Sequence, residues 1–283
     1  LVPENFAAGT FTSGSGNRVT AILRAMERAG VIRTLAEPNL TAISGESANF
    51  LAGGEFPILA GYTCDNVTGG SAVDVLRGNA GVNDLRGGSG NDRLHGGAGN
   101  DVMLRQAGND LVYGEGGNDV LHADAGNDRL DGGSGIDTVV VLGATSVTLT
   151  LAALAAQATG IGVDTIVNVE NIVSGAGNDR LTGSALSNVL KSGAGNDIVN
   201  AGLGDDFVWG GTGNDILNGE DGNDALYGED GNDRFLDSAG DDLMTGGLGA
   251  DRFVFNMGGG TNQVTDFDNG FDKIELASGA LDM

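Results

Sequence analysis

The 283-residue chain holds one cysteine, three prolines, two histidines and one tryptophan, and aromatic residues make up only 5% of it. The lone Cys64 excludes an internal disulfide and a cysteine-built zinc cluster. With so few aromatics, a core of ordinary density is not expected over most of the chain. No run approaches the ~20 apolar residues of a membrane-spanning helix. No basic-then-apolar stretch reads as a signal peptide, so export would use another signal, or one outside these residues. Lysine and arginine number 14 against 39 aspartates and glutamates, a formal charge of −25. Nothing here offsets phosphate charge, which excludes nucleic acid as a partner. Such a chain is either a solvated polyanion or a binder of cations. Glycine is in excess, at 52 residues. Recurring glycine with scarce proline fits neither collagen nor a disordered linker.

The stretch GGSGNDRLHGGAGND, Gly87 to Asp101, says nearly the same thing twice, nine residues apart. Stepping by nine from Asp92 reaches Asp101, Asp110, Asp119, Asp128 and Asp137, and backwards Asn83 and Asp74. A second array holds Asp179, Asn188, Asp197, Asp206, Asp215, Asp224, Asp233, Asp242 and Asp251. Of these 17 slots, 15 are aspartate. Two residues after each slot stands an apolar side chain without exception, from Leu76 to Val139 and from Leu181 to Phe253. Glycines precede the slots, so the unit is G-G-x-G-x-D-x-U-x, with U apolar. One G-x-G-N-D would be a surface turn; 17 slots in register are a repeat architecture.

Glycine permits the positive φ of tight turns. The x-U-x segment is strand-length and sends its apolar residue to one side. Two units make one coil turn, so each U stacks on the U eighteen residues away, and each aspartate on its counterpart. Stacked carboxylates repel unless a hard cation sits between them, and calcium takes 6–8 oxygen ligands from carboxylates and carbonyls. The expected ligands are the slot residues Asp74, Asp92, Asp101, Asp110, Asp119, Asp128, Asp137, Asp179, Asp197, Asp206, Asp215, Asp224, Asp233, Asp242 and Asp251. Joining them are the turn glycines Gly88, Gly90, Gly97, Gly99, Gly108, Gly117, Gly126, Gly195, Gly204, Gly213, Gly222 and Gly231. Same-side aspartate pairs allow about 11 ions, whose charge of roughly +22 would nearly cancel the −25 of the chain. Asn83 and Asn188 keep an oxygen but lose the charge, so sites that share them should be weak.

This motif resembles the repeats-in-toxin (RTX) nonapeptide, over about Gly69 to Leu276. The resemblance implies a parallel β-roll with several Ca2+ ions between turns, in a protein exported by type I secretion from a Gram-negative bacterium. The fold class expected is all-β: a parallel β-roll, or solenoid, in two stacked blocks with a small α+β segment at the N-terminus. The blocks would span residues 69–139 and 175–255, joined by a β-rich insert at 140–174 and closed by a cap at 256–283. In the insert, Val147, Leu149 and Leu151 alternate as a strand does, a short helix over Leu151–Ala158 is an alternative, and Asp164 and Glu170 read as solvated charges. In the cap, Phe253, Phe255, Phe267, Phe271 and Ile274 are expected to plug the open coil end. Asp266, Asp268 and Asp272 are open to two readings, a further ion site or, preferred, solvated turn residues.

Residues 1–60 differ in chemistry and hold all three prolines. A helix over Arg18–Ala29 is expected, capped by Asn17 and ended by Gly30, with a linker at 61–68. The run from Val31 through Pro57, with LAEPNLTA and SGESANFLAGGEFPI, resembles the secretins of tight-adherence pili. Two readings stay open, a fused fragment or a small cap on the coil. No G-x-S-x-G and no H-E-x-x-H occurs, and His95 and His122 sit at equivalent repeat positions that read as solvated. The sequence therefore points to a calcium-binding, non-enzymatic module, expected to be a monomer with calcium and the secretion machinery as partners. The alternatives are a secretin-related outer-membrane component and the carrier half of a secreted hydrolase or toxin.

Overall fold

The computed structural model describes residues 66–277, apart from 70, 72, 105, 106, 154 and 257, together with the strands Phe6–Thr12, Arg18–Arg24, Ser47–Asn49 and Glu55–Pro57. The coil is a parallel β-solenoid. One face is a continuous 12-stranded sheet running from Ser47–Asn49 to Gln263–Val264. The other face is split into two 7-stranded sheets. Within each block, strands pair with a register of eighteen: Val112 faces Leu94 and Leu130, and Val208 faces Leu190 and Leu226.

Many strands run past x-U-x into the following glycines. In Ile216–Asp221, Leu217 and Gly219 both point inward. The U residue fills the coil; from Leu85 to Phe253 every one is fully buried, and Leu76 is 2% exposed. The inward glycine has no side chain because the space is taken. A Cβ on Gly219 would lie 2.1 Å from Asp224 Oδ2. Other glycines serve the backbone instead: Gly213 has φ 134, and a Cβ there would lie 1.7 Å from the Gly195 carbonyl oxygen one turn back.

The period breaks at the insert. Thr138–Val141 continues the long sheet, and then Thr148–Thr150 crosses to stack on Arg180–Ser184 of the second block. The chain doubles back through Gln157–Ala158, antiparallel to Val163–Val167, which stacks on Arg129–Ser134 of the first block. The two blocks are thus interlocked by strands laid out of chain order. Val147 and Leu149 are buried as expected, and Leu151 packs partly against the core.

Among the described residues there is no helix, so none long and apolar enough to cross a membrane. Arg18–Arg24, expected to begin a helix, is a strand antiparallel to Phe6–Thr12. Val19, Thr20 and Ile22 are β-branched and favour the extended backbone. Residues 25–29 of that expected helix lie outside the described residues. The described part of Leu151–Ala158 is likewise not helical and ends in strand. Ser47–Asn49 and Glu55–Pro57 pair in parallel with Asn66–Thr68 and Val75–Arg77, so the coil takes in residues ahead of Gly69.

At the C-terminal end, Phe235 and Phe253 stack at 4.8 Å, with Phe267 tilted against Phe253 at 6.2 Å. Phe255 and Phe267 pack on the core, but Phe271 and Ile274 do not plug it, being 64% and 57% exposed. The last strand, Lys273–Leu276, forms the edge of its sheet and turns Ile274 to solvent.

Candidate metal centres

Every slot residue of both arrays is buried, at 0–3% exposure. The carboxylates are held by a ladder along the coil. The Asp92 N–H donates to Asp110 Oδ1 at 2.7 Å, and Asp101 to Asp119 at 2.7 Å. The same step recurs from Asp74 to Asp92 and from Asp110 to Asp128. In the second block it runs Asp179, Asp197, Asp215, Asp233, Asp251 on one side. On the other side it runs Asn188, Asp206, Asp224, Asp242. A second ladder, missed in the sequence, uses the asparagine before the slot and points the opposite way. Asn196 N–H donates to Asn178 Oδ1, Asn214 to Asn196 and Asn232 to Asn214. Its signal was the recurring N of GND, which tight-turn chemistry explains.

In twelve of the slot carboxylates one oxygen is left over. The Oδ2 atoms of Asp92, Asp101, Asp119, Asp137, Asp179, Asp197, Asp206, Asp215, Asp224, Asp233, Asp242 and Asp251 are buried with no hydrogen-bond donor. Such a row of orphaned acceptors is costly unless the group is protonated or met by a cation. Burial pushes the carboxyls of Asp92, Asp101, Asp137, Asp206 and Asp215 up to about 6, and those of Asp224 and Asp233 to about 7. The backbone N–H donors pull these values down, and neighbouring carboxylates push them up again. Asp119, Asp197, Asp242 and Asp251 are raised in the same way, by burial first.

Among the described residues no three His, Cys, Asp or Glu side chains gather at one point. A cation here would therefore need carbonyl oxygens beside the carboxylates, and they are close by. The point where a Cβ on Gly114 would sit is 2.3 Å from Asp119 Oδ2 and 2.2 Å from the Gly132 carbonyl oxygen. At Gly228 the same point is 2.3 Å from Asp233 Oδ2 and 2.5 Å from the Gly246 oxygen. Carboxylate and carbonyl oxygens converging on one point are the donor set of a hard cation. The chain's oxygens fit such an ion.

The RTX calcium-binding nonapeptide repeat model matches residues 68–103, 106–139, 173–208, 200–235 and 227–261, more than half of the chain. The chain belongs to this family. The RTX repeats are of a calcium-binding kind, and the matches leave out the insert, where the nine-residue interval is lost. A 55-residue stretch, 18% of the chain, is 53% identical to the uncharacterized protein y4xJ of Sinorhizobium fredii, strain NBRC 101917 / NGR234. The chain covers only 13% of that protein's length. The RTX match begins at residue 68, and the secretin likeness of residues 1–60 is without support.

The RTX turns are not all alike. Asn83 and Asn188 keep the slot's place. Asn188 is satisfied without a cation: Oδ1 accepts from Ser184 N–H at 2.7 Å and Nδ2 donates to the Glu170 carbonyl at 2.6 Å. Ala123 and Ala201 put methyl groups at the inward glycine position, buried at 6% and 0% exposure. Ser192 stands there too, its hydroxyl donating to the Gly210 carbonyl at 2.8 Å. Asp237 takes that position before Asp242 and clasps the cap by accepting from Asn256 N–H and Asn262 Nδ2. Arg105 and Gln106, which replace the glycine pair before Asp110, lie outside the described residues. Asp84 turns away to pair with Arg86 at 2.8 Å.

Asp164 and Glu170 are not solvated charges. Asp164 is 0% exposed and accepts the Asp128 N–H at 2.9 Å, continuing the first block's ladder at an interval of 36. Glu170 accepts the Asp137 N–H at 2.8 Å, its longer side chain reaching a position that an aspartate holds elsewhere. Asp272 is half-buried rather than solvated, and Asp266, exposed as expected, still has backbone partners. Asp272 accepts from Asp251 N–H at 3.0 Å, and Asp266 from the N–H groups of Gly246 and Gly247, so both close the final turns. His95 is not simply solvated, since Nδ1 lies 2.8 Å from Glu115 Oε1 and the ring stacks on Tyr113 at 5.0 Å. Trp209 and Tyr227 stack at 5.3 Å, as their shared repeat position suggests.

Proposed function

We propose that this RTX chain is a structural and binding module of a secreted Gram-negative protein, and that extracellular calcium orders it. The observation that carries the reading is the row of buried aspartate Oδ2 atoms with no donor. Calcium, when bound, supplies the positive charge that lets those carboxylates stay ionised inside the coil. The ligands we assign are the slot aspartates, with the turn glycines contributing carbonyl oxygens. The chain's own part is positional. Along the ladder a slot N–H fixes Oδ1 of the slot one turn on, which at Asp119, Asp215, Asp224 and Asp233 leaves Oδ2 facing the inward glycine.

In the cytosol, where calcium is scarce, clustered carboxylates resist ionising together. A spine of two apolar residues per turn cannot offset the entropy of ordering eighteen. Outside the cell, ion binding becomes folding free energy. This suits a chain that leaves unfolded through a type I machine and folds as a monomer afterwards. We assign no catalytic role to these residues; a hydrolase or toxin domain, if the whole protein has one, would lie elsewhere. Calorimetric titration of the EDTA-treated chain with calcium tests the reading. Several ions should bind, with a gain of β-structure in circular dichroism. Absence of heat and of spectral change at millimolar calcium would overturn it.

A further inference from the structure

The insert departs from the blocks in most of what makes them cation-dependent, although Asp179 at its far side keeps the slot pattern, with an Oδ2 that has no donor. Where slot aspartates such as Asp101, Asp119, Asp215 and Asp233 leave Oδ2 without a donor, Asp164 Oδ2 accepts a hydrogen bond from the Thr159 hydroxyl, and Thr159 is itself 0% exposed. The second block's ladder begins not on a carboxylate but on Val147, whose N–H donates to Asp179 Oδ1 at 2.9 Å. On the remaining side, the ladder passes through Glu170 and the fully bonded amide of Asn188.

Apolar burial rises where the carboxylates thin out. Between Val139 and Ile172 lie eight buried apolar side chains: Val139, Val140, Val141, Val147, Leu149, Ile166, Val169 and Ile172. A second-block turn such as 206–223 buries two, Val208 and Leu217. Charge follows the same division. Residues 138–192 carry three acidic and two basic side chains, whereas 193–251 carry 14 acidic and one basic. The segment is also closed locally. Gln157 and Thr150 exchange two hydrogen bonds of 2.9 Å across their loop, and Gln157–Ala158 pairs antiparallel with its near neighbour Val163–Val167. Local contacts of this sort form without a long loop-closure cost.

We infer that residues 138–192 are a joint that folds without calcium, and that the two RTX blocks wind outward from it when calcium arrives. The Thr159 hydroxyl takes the place of a cation at Asp164, so the joint has no charge left to neutralise there. Strands laid out of chain order give each block a formed edge to add to: Val163–Val167 for the first and Thr148–Thr150 for the second. This inference rests on the reading of the blocks as calcium-ordered.

Hydrogen exchange of the full chain, followed by mass spectrometry in EDTA and in calcium, tests it. In EDTA, amides of Val139–Val141 and Ile172–Ser174 should keep protection of roughly 100-fold or more over the unfolded rate, while those of 92–130 and 197–251 exchange nearly unprotected. Calcium should then protect the blocks. Thr159→Val should cost the joint at least about tenfold in protection in EDTA, because a hydrogen bond to a charged acceptor is lost. Thr159→Ser, which keeps the hydroxyl, should match the parent, and neither variant should change the number of ions bound. A joint that exchanges in EDTA as fast as the blocks overturns the inference and leaves the calcium reading intact. Blocks protected in EDTA overturn the calcium reading itself.

Discussion

Acid should order the calcium-free chain. In the folded, metal-free coil the Asp233 carboxyl titrates at about 7 and Asp224 likewise, against 3.8 for a free side chain. The ionised form of each is thus disfavoured in the folded state by roughly 4 kcal/mol at most, taking about 1.4 kcal/mol per tenfold. Asp92, Asp101, Asp137, Asp206 and Asp215, at about 6, add roughly 3 kcal/mol each by the same conversion. Ionising only a few of them would exceed the ~5–15 kcal/mol by which domains are stable. The sign is opposite to that of a salt-bridged aspartate. Because the folded values lie above the unfolded one, the folded state holds more protons across the interval, and stability falls as pH rises. It is fully present below about pH 4 and is lost progressively up to about pH 7. Far-UV circular dichroism in EDTA, scanned from about pH 8 to about pH 4, should show β-structure appearing on acidification. Calcium should reverse the trend, holding the coil at neutral pH and binding more weakly below about pH 6 as protons compete. A chelated chain that is equally ordered at both ends of the scan, or that unfolds on acidification, would refute the reasoning.

Other variants probe single positions. Asp215→Ala should lower the calorimetric ion count by up to two, since the Asp215 ladder position is shared with Asp197 and Asp233. Gly117→Ala should destabilise the calcium-loaded coil by roughly 2–5 kcal/mol in thermal melts, because φ is 124 there and a Cβ would sit 1.8 Å from the Gly99 oxygen. Gly116→Ala, one residue away, meets the Ser134 hydroxyl at 3.4 Å and the Gly97 carbonyl oxygen at 3.8 Å, and should melt within a few degrees of the parent. Glu229 holds a left-handed φ of 72 where most turns have glycine, so Glu229→Gly should raise the melting temperature, with a gain of about 0.5–1 kcal/mol.

The repeats were legible because each residue type answers to one constraint. The U residues had to be apolar to fill the coil, and all of them do. The slot aspartates had to stack at eighteen, and they do so within each block. Reading failed where the interval changed. Asp164 and Glu170 stand 36 and 33 residues from their ladder partners Asp128 and Asp137, so periodicity could not connect them. Thr159 carries no motif at all, and its partner is known only once the chain has doubled back. The stretch Arg18–Arg24 had apolar residues at helical spacing, but its β-branched side chains suit a strand equally well, and pairing with Phe6–Thr12 decides. Phe271 and Ile274 were apolar residues without a period to assign them a face, and both point to solvent.

The claim beneath all of this is that calcium between stacked carboxylates holds the RTX blocks in their wound form. The most direct measurement is small-angle scattering of the purified chain at neutral pH, in excess EDTA and then with calcium added to about 10⁻³ M. The account predicts an expanded chain with a small folded centre in EDTA, collapsing to a rigid rod of solenoid dimensions on calcium addition. A rod of unchanged length and thickness in EDTA would contradict it.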